Sequence, residues 1–275
     1  MTFQFFSGRR AALATMHGKE KIIAPPLFEH LGLQVEVAQV NTDAFGTFTG
    51  EIERRGTPLE AARQKCCAAI EQTGLPIGIA SEGSFGPHPT VPFVASNHEI
   101  VMLLDEELGI QVVGQCLTAE TNFAHQVVHS IEEAVAFAEK VGFPSHGLIV
   151  RGKSLTKGIC DYKLLSEVVS NALATQPSVQ LETDMRAMYN PTRQKAIAAA
   201  VADLIERLQQ LCPACGKPGW GKKNSIPGLP CSWCGLPTSL PVGYLMECPA
   251  CGYQEEKITT SEQYADPAYC SFCNP

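Results

Sequence analysis

Cys212-Pro213-Ala214-Cys215, Cys231-Ser232-Trp233-Cys234, Cys248-Pro249-Ala250-Cys251 and Cys270-Ser271-Phe272-Cys273 are four C-x-x-C pairs near the end of a 275-residue chain. A two-residue spacer lets a tight turn aim both sulfurs at one ion, so four pairs make two tetrahedral sites. Gly216, Gly235 and Gly252 directly follow three of the pairs, where a zinc knuckle needs a positive φ. The residues between pairs are rich in Pro, Gly and Ser and too poor in apolar side chains to build a core, so metal binding must supply the folding energy. All eight cysteines are therefore read as ligands of two structural Zn²⁺ ions, in closed sites with no open position for chemistry. Rubredoxin-like iron and a thioredoxin-like redox role are the alternatives, and no βαβ pattern surrounds the pairs to favour the latter. Neighbouring pairs are expected to share an ion, first with second and third with fourth, as two consecutive ribbons.

The other four of the twelve cysteines (Cys66, Cys67, Cys116 and Cys160) are scattered through apolar stretches, a distribution that favours metal over disulfides. The division expected is an α/β domain over residues 1–211 and a zinc-ribbon module over 212–275. A net charge of −7 gives no global attraction to phosphate backbones or anionic lipid. The module itself holds four lysines (Lys217, Lys222, Lys223, Lys257) against five acids (Glu247, Glu255, Glu256, Glu262, Asp266), which argues against a nucleic-acid ribbon. Its aromatics, Trp220, Trp233, Tyr244, Tyr253, Tyr264, Tyr269 and Phe272, read as a miniature core rather than a base-stacking platform. No apolar run suits a signal peptide or a membrane span, so the expected location is cytoplasmic.

From Arg10 to Leu211, strand-like and helix-like runs alternate, the pattern of an α/β domain with a mixed sheet. Ala11–Thr15 reads as a strand, Glu20–Leu31 as a helix interrupted at Pro25 and Pro26, and Leu33–Val40 as a strand. Thr57-Pro58 opens a helix to about Thr73, with Glu60 completing a capping box. Ile77–Ala80 reads as a short buried strand delivering a loop, Ser81–Pro87. A hairpin follows, Glu99–Asp105 with Gly109–Thr118, then a helix from Ser130, a strand at 147–151 and a helix over 161–175. Pro191 opens the strongest helix, with Ile197, Val201, Leu204, Ile205 and Leu208 on one face. Its end abuts Cys212, so the module reads as a rigid extension serving as lid, dimer contact or partner dock.

Three segments carry polar groups that a core does not require. Thr15, His17 and Lys19 lie between a strand and a helix N-terminus, as in a phosphate cradle. Glu60 and Glu82, if brought together, would hold Mg²⁺ and leave positions for phosphate and water. Arg186 and Arg193 flank Tyr189-Asn190-Pro191-Thr192 at another helix start, where positive charge opposes the dipole and is better explained if an anion comes there.

These segments together resemble the inosine triphosphate pyrophosphatase superfamily, including its Maf-like branch. Ala14–Lys19 resembles the family's opening triphosphate loop. Thr57-Pro58-Leu59-Glu60-Ala61-Ala62-Arg63-Gln64-Lys65-Cys66 resembles its metal-binding helix start. Ala80-Ser81-Glu82-Gly83-Ser84-Phe85 resembles its acidic strand end, and Asn190–Ala196 its base-contacting segment. Ser81 stands where the family has a second acid, and Thr192 where it has a base-reading His. The resemblance, which lacks the zinc module, implies Mg²⁺-dependent hydrolysis of a nucleoside triphosphate, non-canonical ones included, to monophosphate and pyrophosphate. Lys19 and Lys65 would hold phosphates, Glu60 and Glu82 the metal, Glu82 or a metal-bound water would begin the attack, and Thr15, His17, Ser84, Arg186 and Arg193 would contact substrate. The alternative is a non-catalytic site for a nucleotide or other phosphorylated small molecule, with the zinc ribbons docking a protein partner or a second copy. An RNA adaptor is a third reading, resting on Lys222-Lys223 and the aromatics.

Overall fold

The computed structural model describes residues 3–45, 56–258 and 264–275; Glu262, one of the acids counted above, lies outside them. After a one-turn α1 (Phe3–Phe6) the chain runs β1 (Arg10–Ala14), α2 (Glu20–Leu31), β2 (Gln34–Ala38), α3 (Pro58–Thr73), β3 (Ile77–Pro87), β4 (Ala95–Asp105) and β5 (Ile110–Thr118). Then come β6 (His125–Val128), α4 (Ile131–Lys140), β7 (Leu148–Arg151), β8 (Leu155–Ile159), α5 (Tyr162–Leu173), β9 (Val179–Thr183), α6 (Pro191–Gln209), β10 (Gly221–Pro227), β11 (Pro241–Glu247) and β12 (Gln254–Ile258).

The first five strands form one sheet in the order β2-β1-β3-β4-β5. β1 is parallel to both neighbours, Leu13 lying beside Val37 on one side and Ile79 on the other. Residues 88–94 link β3 to β4 and are closed by the His88 N–H donating to Val94 C=O at 2.7 Å. That link is too short for a parallel crossover, so the pair is a hairpin. α3 covers one face, packing Ala62, Cys66 and Ala69 on Ala12, Ala14, Ala80 and Met102. α6 covers the other face so closely that a Cβ on Gly114 would stand 2.2 Å from Ala200 O and 2.3 Å from Leu204 N. A second sheet, β6-β9-β7-β8, carries α4 and α5 on a core of Phe137, Leu148, Leu165, Val169 and Leu181.

Two local expectations are corrected. α2 is continuous although Pro25 and Pro26 lie inside it. Its buried stripe Ile23, Leu27 and Leu31 recurs every fourth residue, and anchorage of that face outweighs the lost backbone hydrogen bonds. Ser81–Pro87 is strand rather than loop, with β4 hydrogen-bonded beside β3. The helix starts at Thr57, Ser130, Asp161 and Pro191 lie where the sequence puts them. β6, β8 and β9 had no sequence assignment.

The chain divides into two compact units, residues 6–104 with 113–205, and residues 1–5 with 105–112 and 206–275. The tip of the β4–β5 hairpin thus groups with the cysteine-rich segment, where Lys217 Nζ donates to Leu108 O at 2.7 Å. A boundary drawn at residue 211 from sequence misses this, since the partner lies about a hundred residues upstream. No helix among the described residues is long and apolar enough to cross a membrane. The close approach at Gly114 is directly testable. Gly114→Ala is expected to destabilise the protein by about 1–3 kcal/mol through overpacking against α6, while Gly86→Ala, with nothing within 4 Å of its Cβ, leaves the denaturant midpoint nearly unchanged.

Candidate functional site

From β1 the chain goes through α2 to β2 on one side, and returns through α3 to β3 on the other. The strand order therefore reverses between β1 and β3, and in such sheets ligands bind in the crevice outside the carboxyl ends at the reversal. Lys19 spans the reversal. Lying at the start of α2, it donates from Nζ to Ser81 Oγ at 2.8 Å and to Ser81 C=O at 3.3 Å. Burial, with Arg193 nearby, pushes its ammonium down from 10.5 to about 7, although Glu99 and Glu82 oppose the shift.

Alternation along β3 sorts the remaining charges onto two faces. Glu82 points toward α3 and pairs with Lys65, both buried. Gly83 points the other way, where a Cβ would stand 2.5 Å from both Arg193 Nη2 and Glu99 Oε1. Only a residue without a side chain leaves room for that pair. Arg193 Nε meets Glu99 Oε1 at 2.7 Å, its Nη1 donates to Met185 O, and its guanidinium lies 5.1 Å from the centre of the Phe85 ring. Lys19, Lys65 and Arg193 thus meet two carboxylates, leaving one positive charge in surplus when all are ionised.

Lys19, Lys65, Glu82 and Arg193 are accordingly brought together as the sequence suggested. Thr15 is buried next door and its Oγ1 accepts from the His17 N–H, while the His17 ring lies 3.5 Å from Asp43 and burial lowers its pKa. A groove of about 520 Å³ opens beside them, lined by Thr15, Met16, Gly18, the acidic Glu20 of the first turn of α2, and residues 37–41 at the end of β2. Ser84 lies in a separate groove of about 570 Å³ with Ser96, His98 and Gln115.

Glu60 is not part of the assembly. Its carboxylate accepts from the Thr57 N–H at 2.7 Å and from Thr57 Oγ1 at 3.0 Å, the reciprocal capping box, which holds it below the usual carboxylate range. At 3.6 residues per turn it also lies about 140° around α3 from Lys65, the residue that holds Glu82. The pair Glu60 and Glu82 therefore does not fit as a magnesium site, and no step is assigned to that ion. Arg186 is spent too, its guanidinium fixed on Asp184 at 2.6 Å and packed over Tyr189. The anion that explains Arg193 at a helix start is the chain's own Glu99.

Sequence reading missed Glu99 and Asn97. Both are fully buried on β4, and neither Asn97 Nδ2 nor Oδ1 has a hydrogen-bond partner among the described residues. The signal was available: Asn97 and Glu99 fall in phase with Val101 and Leu103, so polar residues occupy inward positions of an apolar strand. His146 on the loop before β7 has its Nε2 2.9 Å from Thr192 Oγ1.

The cysteines form two clusters, and their pairing corrects the expectation of consecutive ribbons. Cys212 and Cys215 meet Cys248 and Cys251, while Cys231 and Cys234 meet Cys270 and Cys273, so first joins third and second joins fourth. Cross-pair Sγ distances are 3.8 and 3.6 Å in one cluster and 3.9 and 3.6 Å in the other. Four thiolates about 2.3 Å from a tetrahedral ion stand about 3.8 Å apart, so each cluster can bind one zinc ion. Gly216, Gly235 and Gly252 have φ of 70°, 71° and 72°, as the knuckles require.

The antiparallel sheet β10-β11-β12 explains the alternation, since β10 and β12 both pair with β11 and their cysteine-bearing ends meet across it. The sequence carried this signal as a repeat: C-P-A-C at 212 and 248 lies in one cluster, C-S-W-C at 231 and C-S-F-C at 270 in the other. The aromatics form the expected miniature core only in part, with Trp220 half-buried and stacked on Tyr253 at 5.6 Å. Trp233 is 78% and Phe272 71% exposed, while Cys212, Cys231, Cys248 and Cys270 are buried. Interlocked sites should fail together. Zinc analysis is expected to give two ions per chain, and Cys215→Ser to weaken the chelator resistance of the intact second cluster as well. Full retention at that cluster would mean independent ribbons. Glu60→Ala should lower the denaturant midpoint slightly by opening one half of the capping box without altering ligand binding.

No curated protein matches the chain, and no solved structure matches it. None of the comparisons brings in the pyrophosphatase superfamily. Residues 65–275, from the lysine that holds Glu82 through both cysteine clusters, match one family model, and the chain belongs to that family, described as Domain of unknown function (DUF6671).

Proposed function

We propose that the crevice between β1 and β3 binds the phosphoryl group of a nucleotide or other phosphorylated small molecule. The observation that carries this reading is Lys19, a buried lysine at an α2 N-terminus that has no side-chain cap, stretched across the strand-order reversal to Ser81. The open helix end offers backbone N–H groups and a favourable dipole to an anion. Lys19 stands beside it with a proton affinity lowered by burial, which an incoming phosphate would restore. Thr15 lines the groove beside it, and Lys65 and Arg193, each paired with a carboxylate, flank β3 from either face.

Hydrolysis of a nucleoside triphosphate to monophosphate and pyrophosphate is the second reading, favoured by buried Glu82 in the middle of β3. There its carboxylate would accept a proton from the water that attacks phosphorus, while the bond to the pyrophosphate oxygen breaks. With Glu60 held in its cap, this reading rests on Glu82 alone among the acids expected for catalysis.

Titration calorimetry with inorganic pyrophosphate tests the binding reading. At about pH 8 a Lys19 with its pKa lowered to about 7 is mostly neutral, and an adjacent anion raises that pKa, so Lys19 itself takes up a proton on binding. Pyrophosphate exchanges protons as well, so heats in buffers of different ionisation enthalpy are compared between the native chain and Lys19→Met, which should show less net uptake and at least about tenfold weaker binding. Equal proton exchange and unchanged affinity in Lys19→Met would contradict the assignment. A panel of canonical and damaged nucleoside triphosphates with Mg²⁺, assayed for pyrophosphate release, separates the two readings. Inactivity leaves the binding site alone, and activity that survives Glu82→Gln removes Glu82 from catalysis.

A further inference from the structure

The two cysteine clusters contain an internal control. In both, the third residue of the C-x-x-C turn has the same job: the Ala214 N–H donates to Cys212 Sγ at 3.4 Å in one, and the Trp233 N–H to Cys231 Sγ at 3.4 Å in the other. The turns end alike as well, with the Gly216 and Gly235 N–H groups donating to Cys212 O and Cys231 O at 2.9 Å. The first cluster performs this job with Ala214 and Ala250, the second with Trp233 and Phe272. Alanine therefore suffices for the fold of a knuckle. The second cluster instead places two large aromatic rings in water at 78% and 71% exposure, an unfavourable arrangement unless something covers them. Leu236, Tyr264 and Tyr269, in the same two segments of the chain, are exposed as well.

The charge around the second cluster selects the occupant. Residues 228–240 and 264–275 contain no Lys or Arg, and Asp266 is their only charged side chain. Three of the module's four lysines are engaged elsewhere, Lys217 on Leu108 O, Lys222 over Tyr244 and Lys223 on Glu247, and the fourth, Lys257, lies on β12 outside both segments. Four thiolates around one divalent ion leave a net negative charge as well. A nucleic acid finds rings to stack on but no cation for its phosphates. A second copy offers the same cation-free, acidic face, so like charge would meet like. A basic segment gains both attraction to the cluster and cation–π contact with Trp233. We propose that Trp233 and Phe272 are the centre of a docking surface for a partner protein segment that is basic and apolar.

Panning a phage-displayed random peptide library on the zinc-loaded full chain tests this, with counter-selection on the Trp233→Ala/Phe272→Ala double variant, which copies the first cluster. The expected result is enrichment of peptides combining Lys or Arg with Leu or aromatic residues. Measured by fluorescence anisotropy, these should bind the double variant at least about tenfold more weakly, as for loss of a hot spot, with zinc content unchanged. Should the variant lose zinc, Trp220→Phe leaves Trp233 as the sole tryptophan of the two, and the selected peptides must then shift its emission. Peptides that ignore the two rings, selection of acidic peptides, no enrichment at all, a dimer dissolved by the double variant, or tighter binding of a single-stranded oligonucleotide through Trp233 would each overturn the proposal.

Discussion

The buried pair of Arg193 with Glu99 is the contact on which the rest of residues 6–104 and 113–205 depends. It ties the start of α6 to the middle of β4, and through Met185 O it ties both to the end of the second sheet. It fixes Gly83 as glycine and places positive charge near Lys19. Breaking a buried pair leaves an uncompensated charge, at about 3–5 kcal/mol, so neither partner is free to vary alone. The same pair explains why a helix start tolerates an arginine whose charge opposes the dipole.

That contact also shows how a strand can serve two faces at once. β3 sends Glu82 toward Lys65 on α3, and it turns Ser81 and Gly83 toward Lys19 and the Arg193–Glu99 pair. One strand thereby gathers ionisable groups from the start of α2, from α3, β4 and α6. The order β2-β1-β3 makes this possible, because the chain leaves β1 in opposite directions at the reversal while α3 and α6 close the two faces. Charge is concentrated there and nearly absent from the cores below, which are built of Ala, Ile, Leu and Val.

Much of this was legible in the sequence, for identifiable reasons. The capped starts at Thr57 and Ser130 are local chemistry, readable within four residues, and they fall where expected. Lys19, Glu82 and Arg193 stood out because charges flank apolar runs at element ends. What failed was non-local. The cap at Thr57 was read correctly, yet sequence could not say that the cap is all Glu60 does, since that depends on which way α3 turns its face. The continuity of α2 through Pro25 and Pro26 depends on packing that the dipeptide does not reveal. The cysteine pairing was misread because proximity in sequence was weighed above the repeat of C-P-A-C with C-P-A-C.

The account's central claim is that the β1–β3 crevice is a phosphoryl site, and chemical-shift mapping tests it most directly. On titrating isotopically labelled protein with inorganic pyrophosphate, the backbone amides of Gly18, Lys19, Glu20 and Ser81 should move together and saturate, while those of the cysteine clusters stay still. Shifts confined to other surfaces, or none at the crevice at saturating pyrophosphate, would contradict it.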